Sequence, residues 1–196
     1  MAPTGRAGAR RTQKRDAILA AAEQLLLEQG HAAMTFRSIA AAADVAPGLV
    51  QYYFPSVEDL LATVLRRSTD RIVADLGDAT RSPHPLRAVW AYANDQRGSA
   101  LLLEFLALAN HRPQLRAVLG EGGERVRQAL LASVTAHWEP HNRDRSGVPA
   151  AAALFLLVWI PRMIMLEESL GTQTGHAETL TLVQRFLDNV EPLDNP

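Results

Sequence analysis

The side chains that could do chemistry concentrate in one stretch, Thr35–Phe54, with the sequence TFRSIAAAADVAPGLVQYYF. Gln51 is a residue type that pairs bidentately with the major-groove edge of adenine, and Leu49 is one that can contact a thymine methyl. Tyr52, Arg37 and Thr35 are types that bind phosphate oxygens, as do backbone amides at helix N-termini. Pro47 and Gly48 stand between two short apolar runs, where both would weaken a helix interior. At a first helical position, however, proline fixes φ without losing a bond. Gly48 beside it has no side chain, which allows close approach of the backbone to a duplex. The chemistry expected is recognition of double-stranded DNA rather than bond making.

A basic arm precedes this stretch. Arg6, Arg10, Arg11, Lys14 and Arg15 occur before the first acid, Asp16, although the net charge of the whole chain is only −1. Such an arm suits a polyanion. Catalytic constellations are missing: there is no P-loop, no G-x-G-x-x-G and no G-x-S-x-G. The absence of cysteine excludes disulfides, thiol catalysis and cysteine zinc sites, and it is compatible with a cytoplasmic setting. His137 and His141 are four apart, but Pro140 and the placement of Glu139 differ from H-E-x-x-H. The expectation is no enzyme, no cofactor and no metal. A helical adaptor that uses the basic arm on acidic partners is the alternative.

These residues need helices to hold them. Ile18, Ala22, Leu25 and Leu26 follow the spacing of one helix face, and Gly30 ends that helix. Thr35 can cap a second helix, Phe36–Ala43. Asp44 occupies the turn, since aspartate tolerates the left-handed region better than most residues. Pro47 opens a third helix that runs to about Tyr53. Ile39, Ala43, Val45, Val50 and Tyr53 fall inward, and Ala40 is small enough to let the two helices pack closely. Ser56 caps a long fourth helix, Val57–Ala79, with Asp59 placed like half of a capping box. Further helices are expected at about Leu86–Gln96, Ala100–Asn110, Gly123–Trp138, Ala150–Leu170 and Glu178–Val190. The class is all-α. A basic arm (1–9) is expected to be disordered, followed by a helix-turn-helix domain (10–56) and a larger helical domain (57–196), with helix 57–79 linking the two.

The segment RDAILAAAEQLLLEQGHAAMTFRSIAAAADVAPGLVQYYFPSVEDLL resembles the N-terminal DNA-binding domain of TetR-family transcriptional regulators. It shares an amphipathic first helix ending in glycine, a threonine before the second helix, Ile-Ala inside it, and a recognition helix that opens after valine and closes on aromatics. The resemblance implies a homodimer on a palindromic operator, a helical ligand-binding domain, and repression relieved by a small molecule. The basic arm and the helix-turn-helix geometry together put Arg10, Arg11, Lys14, Thr35, Arg37, Pro47, Gly48, Leu49, Gln51 and Tyr52 at the DNA. Four positions depart from the family pattern. Asp44 replaces a turn glycine, Ala46 a capping serine or threonine, Gln51 a frequent tyrosine, and Val57 a phosphate-binding lysine.

The last two helices, near 148–170 and 177–190, would form the dimer bundle by the same resemblance. The run Ala150–Ile160 is apolar all round and is read as deeply buried, because it is far shorter than the roughly 20 residues of a membrane span. No membrane partner is expected, and Pro161 should kink the helix. Candidate walls of a pocket for a small, largely apolar effector are Trp90, Phe105, Trp138, Phe155, Trp159, Met163 and Met165. Asn94, Arg97, Glu104, His137 and Arg162 are its polar candidates. For each aromatic, burial preferences favour plain core over a pocket wall.

Overall fold

The computed structural model describes residues 4–79, 83–141 and 147–193, and all regular structure among them is helical. In order the helices are α1 (Thr4–Gln29), a short 3-10 turn (His31–Ala33), α2 (Phe36–Ala42), α3 (Pro47–Tyr53), α4 (Val57–Ala79), α5 (Pro85–Ala93), α6 (Gln96–Ala109), α7 (Pro113–His141), α8 (Ala150–Ser169) and α9 (His176–Val190). α1 already begins at Thr4, whereas the sequence reading placed a disordered arm through residue 9. Two compact units divide the chain. One joins Met1–Asp70 to Ala100–Gly123, and the other joins Arg71–Ser99 to Glu124–Pro196. The division therefore differs from the expected boundary at residue 56, because parts of α4, α6 and α7 belong with α1–α3.

The first unit closes around Ile18, Leu19, Ala22, Leu25 and Leu26 of α1. Ile39, Ala40, Val50 and Phe54 meet them from α2 and α3, and Leu60, Leu61 and Val64 from α4. Leu101, Phe105, Leu108, Leu115 and Val118 complete this core. Phe105 is therefore a core side chain of the N-terminal unit, 1% exposed, and not an available pocket wall. Local capping fixes where its helices start. The Thr35 hydroxyl accepts from the Ser38 amide at 3.1 Å, and the Thr35 amide donates to the Ser38 hydroxyl at 3.0 Å. That reciprocal pair satisfies two donors that a helix start leaves open.

Ser56 does the same for α4. Its hydroxyl accepts from the Asp59 amide at 3.0 Å and donates to the Asp59 carboxylate at 2.7 Å. The Gln114 amide, from α7, also donates to Asp59 at 3.0 Å. Gln114 first, and Ser56 with it, hold the Asp59 carboxyl below its ordinary value of 3.8. A lowered folded-state pKa means stabilisation that is fully present above the unfolded value and is lost as pH falls through the folded one. Asp59→Asn is therefore expected to lower the melting temperature near about pH 6, with the gap to the parent narrowing as pH falls below the ordinary carboxylate range. Thermal melts of both proteins across that range check it.

α7 starts ten residues before the expected Gly123, because Gly120, Gly122 and Gly123 do not break it. Gly122 has a packing reason: a Cβ there would lie 2.7 Å from the Thr69 hydroxyl, and Thr69 is buried. Gly120 and Gly123 face open space. Gly122→Ala should cost about 1–3 kcal/mol through overpacking, whereas Gly123→Ala should stabilise by about 0.5–1 kcal/mol through helix propensity. Urea titration of the two variants separates these opposite signs.

The second unit packs Leu86 and Val89 of α5, Leu130 and Val134 of α7, Ala153, Leu154 and Leu157 of α8, and Val183, Leu187 and Val190 of α9 around Leu76. Glu191 ties the start of α5 to the end of α9. Its carboxylate accepts from the Leu86 and Arg87 amides at 2.8 and 3.0 Å. Arg87 in turn donates to Asp188 at 2.6 Å. α8 runs on through Pro161. Its length and composition are those of a membrane-crossing helix, with mean hydropathy 1.8, but only 28% of that window is buried within the chain. The expectation of deep burial therefore fails on one face. Leu154, Leu157 and Pro161 point inward, while Phe155, Leu156 and Met163 are 49%, 51% and 44% exposed.

Candidate nucleic-acid interface

α2 and α3 are joined by a turn at 43–46, and Asp44 takes the left-handed conformation with φ of 51°. α3 opens on Pro47 with Ala46 before it, and Ala46 supplies no side-chain cap. Pro47 has no N–H and the Leu49 amide donates to the Ala46 carbonyl at 2.9 Å, so at this helix start the Gly48 amide is the donor placed for a phosphate oxygen. Val50 is fully buried and holds α3 on the core, while Ala43, Val45 and Tyr53 pack partly against it.

The opposite face of α3 is open. Pro47, Gly48, Gln51 and Tyr52 are exposed, with Tyr52 at 66%, and Leu49 is half-buried. The aromatic end of the helix divides between core and solvent. Phe54 is buried, Tyr53 packs, and Tyr52 projects, with its ring edge-on to Tyr53 at 5.3 Å. Thr35 and Arg37 at the start of α2 are exposed too.

The basic turns of α1 are fastened to the end of α3 by contacts the sequence did not reveal. The Tyr53 hydroxyl donates to the Arg11 carbonyl at 3.2 Å, and the Arg15 guanidinium lies over the Phe54 ring at 5.5 Å. Cations so placed are held by the ring quadrupole. Arg10, Arg11 and Lys14 remain exposed on the same helix. Arg67 of α4 braces this region by donating to the Asp16 carbonyl at 3.3 Å. The arrangement presents a helix N-terminus, a planar amide, a phenol and several cations without a nucleophile or acid–base pair among them. It is fit to position a phosphate backbone and read base edges.

The proposed effector residues do not form one group. Glu104 and Phe105 belong to the first unit, where Glu104 faces His31 at 3.7 Å. The others with described side chains belong to the second. Asn94 donates to the Trp90 carbonyl at 2.8 Å at the end of α5, and Met163 is on the exposed row of α8. Trp90 packs against the second core, and Arg162 lies over the Trp159 ring at 5.9 Å. The side chain of Trp138 lies outside the described residues, as do those of His137 and His141.

Among the described residues the chain is all-helical, with a helix-turn-helix near its N-terminus. Residues 18–64 match the family described as bacterial regulatory proteins, tetR family. The HTH-type transcriptional regulator BetI of Rhizobium meliloti is 29% identical over 150 residues, covering 72% of this chain and 74% of that protein. A TetR transcription regulator from Haloarcula marismortui shares the fold with a TM-score of 0.70 and 22% identity, covering 91% of this chain and 98% of that one. The multidrug binding protein EbrR, solved with ethidium, superposes with a TM-score of 0.61 at 26% identity, covering 88% and 97%. Residues 18–64 thus form a TetR-family DNA-binding domain, and the chain is similar over most of its length to TetR-type regulators.

Proposed function

We propose that the protein is a cytoplasmic repressor that binds a palindromic operator as a homodimer and is released by a small molecule. The observation that carries the dimer is the exposed row Ala152, Phe155, Leu156 and Met163 on α8, with Trp159 half-buried beside it and Leu182 of α9 69% exposed. Large apolar side chains in one stripe mark an interaction surface rather than ordinary solvent-facing helix. A two-fold axis would pair this surface with itself and place two α3 helices about 34–36 Å apart, one turn of the duplex. Gln51 then reads bases, while Thr35, Arg37, Tyr52, Arg10, Arg11 and Lys14 hold phosphates. EbrR, which binds ethidium, supports a small-molecule effector for this fold.

Release is a two-state matter. A ligand shifts the dimer from the operator-spaced conformation only by its differential affinity for the two states. Moving the balance from 99:1 to 1:99 needs about 5.5 kcal/mol of such preference. The test is a gel shift on DNA upstream of the gene. The expected result is a sequence-selective shift that Gln51→Ala with Tyr52→Ala weakens by at least about tenfold, since each base-reading contact contributes 1–3 kcal/mol. Equal binding to unrelated DNA would reject the reading.

A further inference from the structure

From the second unit we infer that Arg162 anchors an anionic effector, an organic carboxylate with an apolar body. The inference rests on the regulator reading above and names the ligand class. Arg162 is only 4% exposed, yet it faces no carboxylate within ion-pair distance among the described residues. Its Nη1 donates to the Val158 carbonyl at 3.0 Å, one turn back on the same helix. Its Nε is buried with no hydrogen-bond partner. Nη2, on the same edge of the guanidinium as Nε, also makes no hydrogen bond to a described residue. That edge carries two parallel N–H groups, the fork that a carboxylate fills bidentately.

The walls around the cation are apolar and aromatic. The guanidinium carbon is 5.2 Å from the Tyr92 ring centre and 5.9 Å from that of Trp159. Ring faces stabilise a cation, but they give no acceptor to an in-plane N–H. A buried charge with an unpartnered donor edge is the costly arrangement that folded chains ordinarily avoid by pairing. It persists where a ligand supplies the missing charge. One guanidinium balances one negative charge, which favours a carboxylate over a doubly charged phosphate. The site lies where α5 and α8 pack, on helices of the unit that carries the proposed dimer row.

The test uses the full-length protein without DNA and four probes: benzoate and decanoate, with benzamide and decanol as neutral counterparts. Binding is read by thermal shift and by tryptophan fluorescence, to which Trp159 contributes. At least one carboxylate should bind saturably, about tenfold or more tighter than its neutral counterpart, as expected for a charge-assisted fork. Arg162→Met should abolish that preference, and Arg162→Lys, which keeps the charge but loses the fork, should restore it only in part. Should Arg162→Met fail to fold, the carboxylate-to-neutral comparison on the parent protein decides alone. Equal binding of both members of each pair, or no binding of either carboxylate, overturns the assignment. The operator gel shift without probe reports separately on the regulator reading, so the two failures are distinguishable.

Discussion

Leu156→Glu is expected to convert the proposed dimer into a monomer and to weaken operator binding by at least about a hundredfold, the lower end of what linking two sites supplies. Leu156 lies in the middle of the exposed α8 row, 51% accessible in the single chain. In a two-fold interface the substitution appears twice. Each carboxylate would have to be stripped of water against apolar partners, at a cost of at least about 2 kcal/mol. Two such penalties, about 4 kcal/mol together, correspond to nearly a thousandfold in the dissociation constant. The half-sites then lose the gain that comes from joining two DNA-binding units. Folding should survive, because Leu156 is not part of the buried face formed by Leu154, Leu157 and Pro161. Sedimentation velocity should show the mass of one 21.4 kDa chain where the parent shows twice that. A variant that sediments as a dimer would place the interface elsewhere.

The same row explains what the sequence could and could not disclose. Thr35, Asp44, Pro47 and Ser56 were legible because caps, turns and helix starts depend on a few neighbouring residues. Those signals located α2, α3 and α4 to within a residue. The start of α7 was not legible, since a glycine chosen for the approach of Thr69 looks in sequence like a glycine that ends a helix. Phe105 was misplaced for a related reason: apolar content cannot tell a core wall from a pocket wall, and only the fold shows it packed against α1–α4. The exposed face of α8 was hidden by its uniform composition, because a helix apolar all round gives no sign of which side its own chain covers. Arg162 stood out as a polar residue in that run, but its unpartnered fork depends on what Tyr92 and Trp159 bring beside it. At the candidate interface helix periodicity marked Gln51 and Tyr52 as outward, whereas Leu49, placed beside them, is half-buried. The fastening of Arg11 and Arg15 to the end of α3 joins positions some 40 residues apart, which no local pattern encodes.

Gly48→Leu should leave the fold intact and weaken operator binding by at least about tenfold, the effect of one spoiled base-pair contact. Glycine is normally retained where φ is positive or where a neighbour in the same chain needs the space. Neither holds for Gly48. Its φ is not in the left-handed range, and a Cβ built there meets nothing within 4 Å. On intrinsic grounds the residue is a defect at the start of α3, and Gly48→Ala should stabilise by about 0.5 kcal/mol. Gly120 and Gly123 of α7 are equally unneeded by the fold, but Gly48 alone of the three stands among the residues proposed to face DNA, where close approach of the backbone gives it a use. The exposed start of α3, between Pro47 and Leu49, is where the backbone would come closest to a duplex. A leucine there would hold that backbone away and lengthen the contacts of Gln51 and Tyr52. The two substitutions therefore separate stability from binding. Thermal melts of both variants should match or exceed the parent, while gel shifts should weaken with side-chain size from glycine to alanine to leucine. Unchanged affinity in Gly48→Leu would mean that α3 does not approach DNA by its first turn.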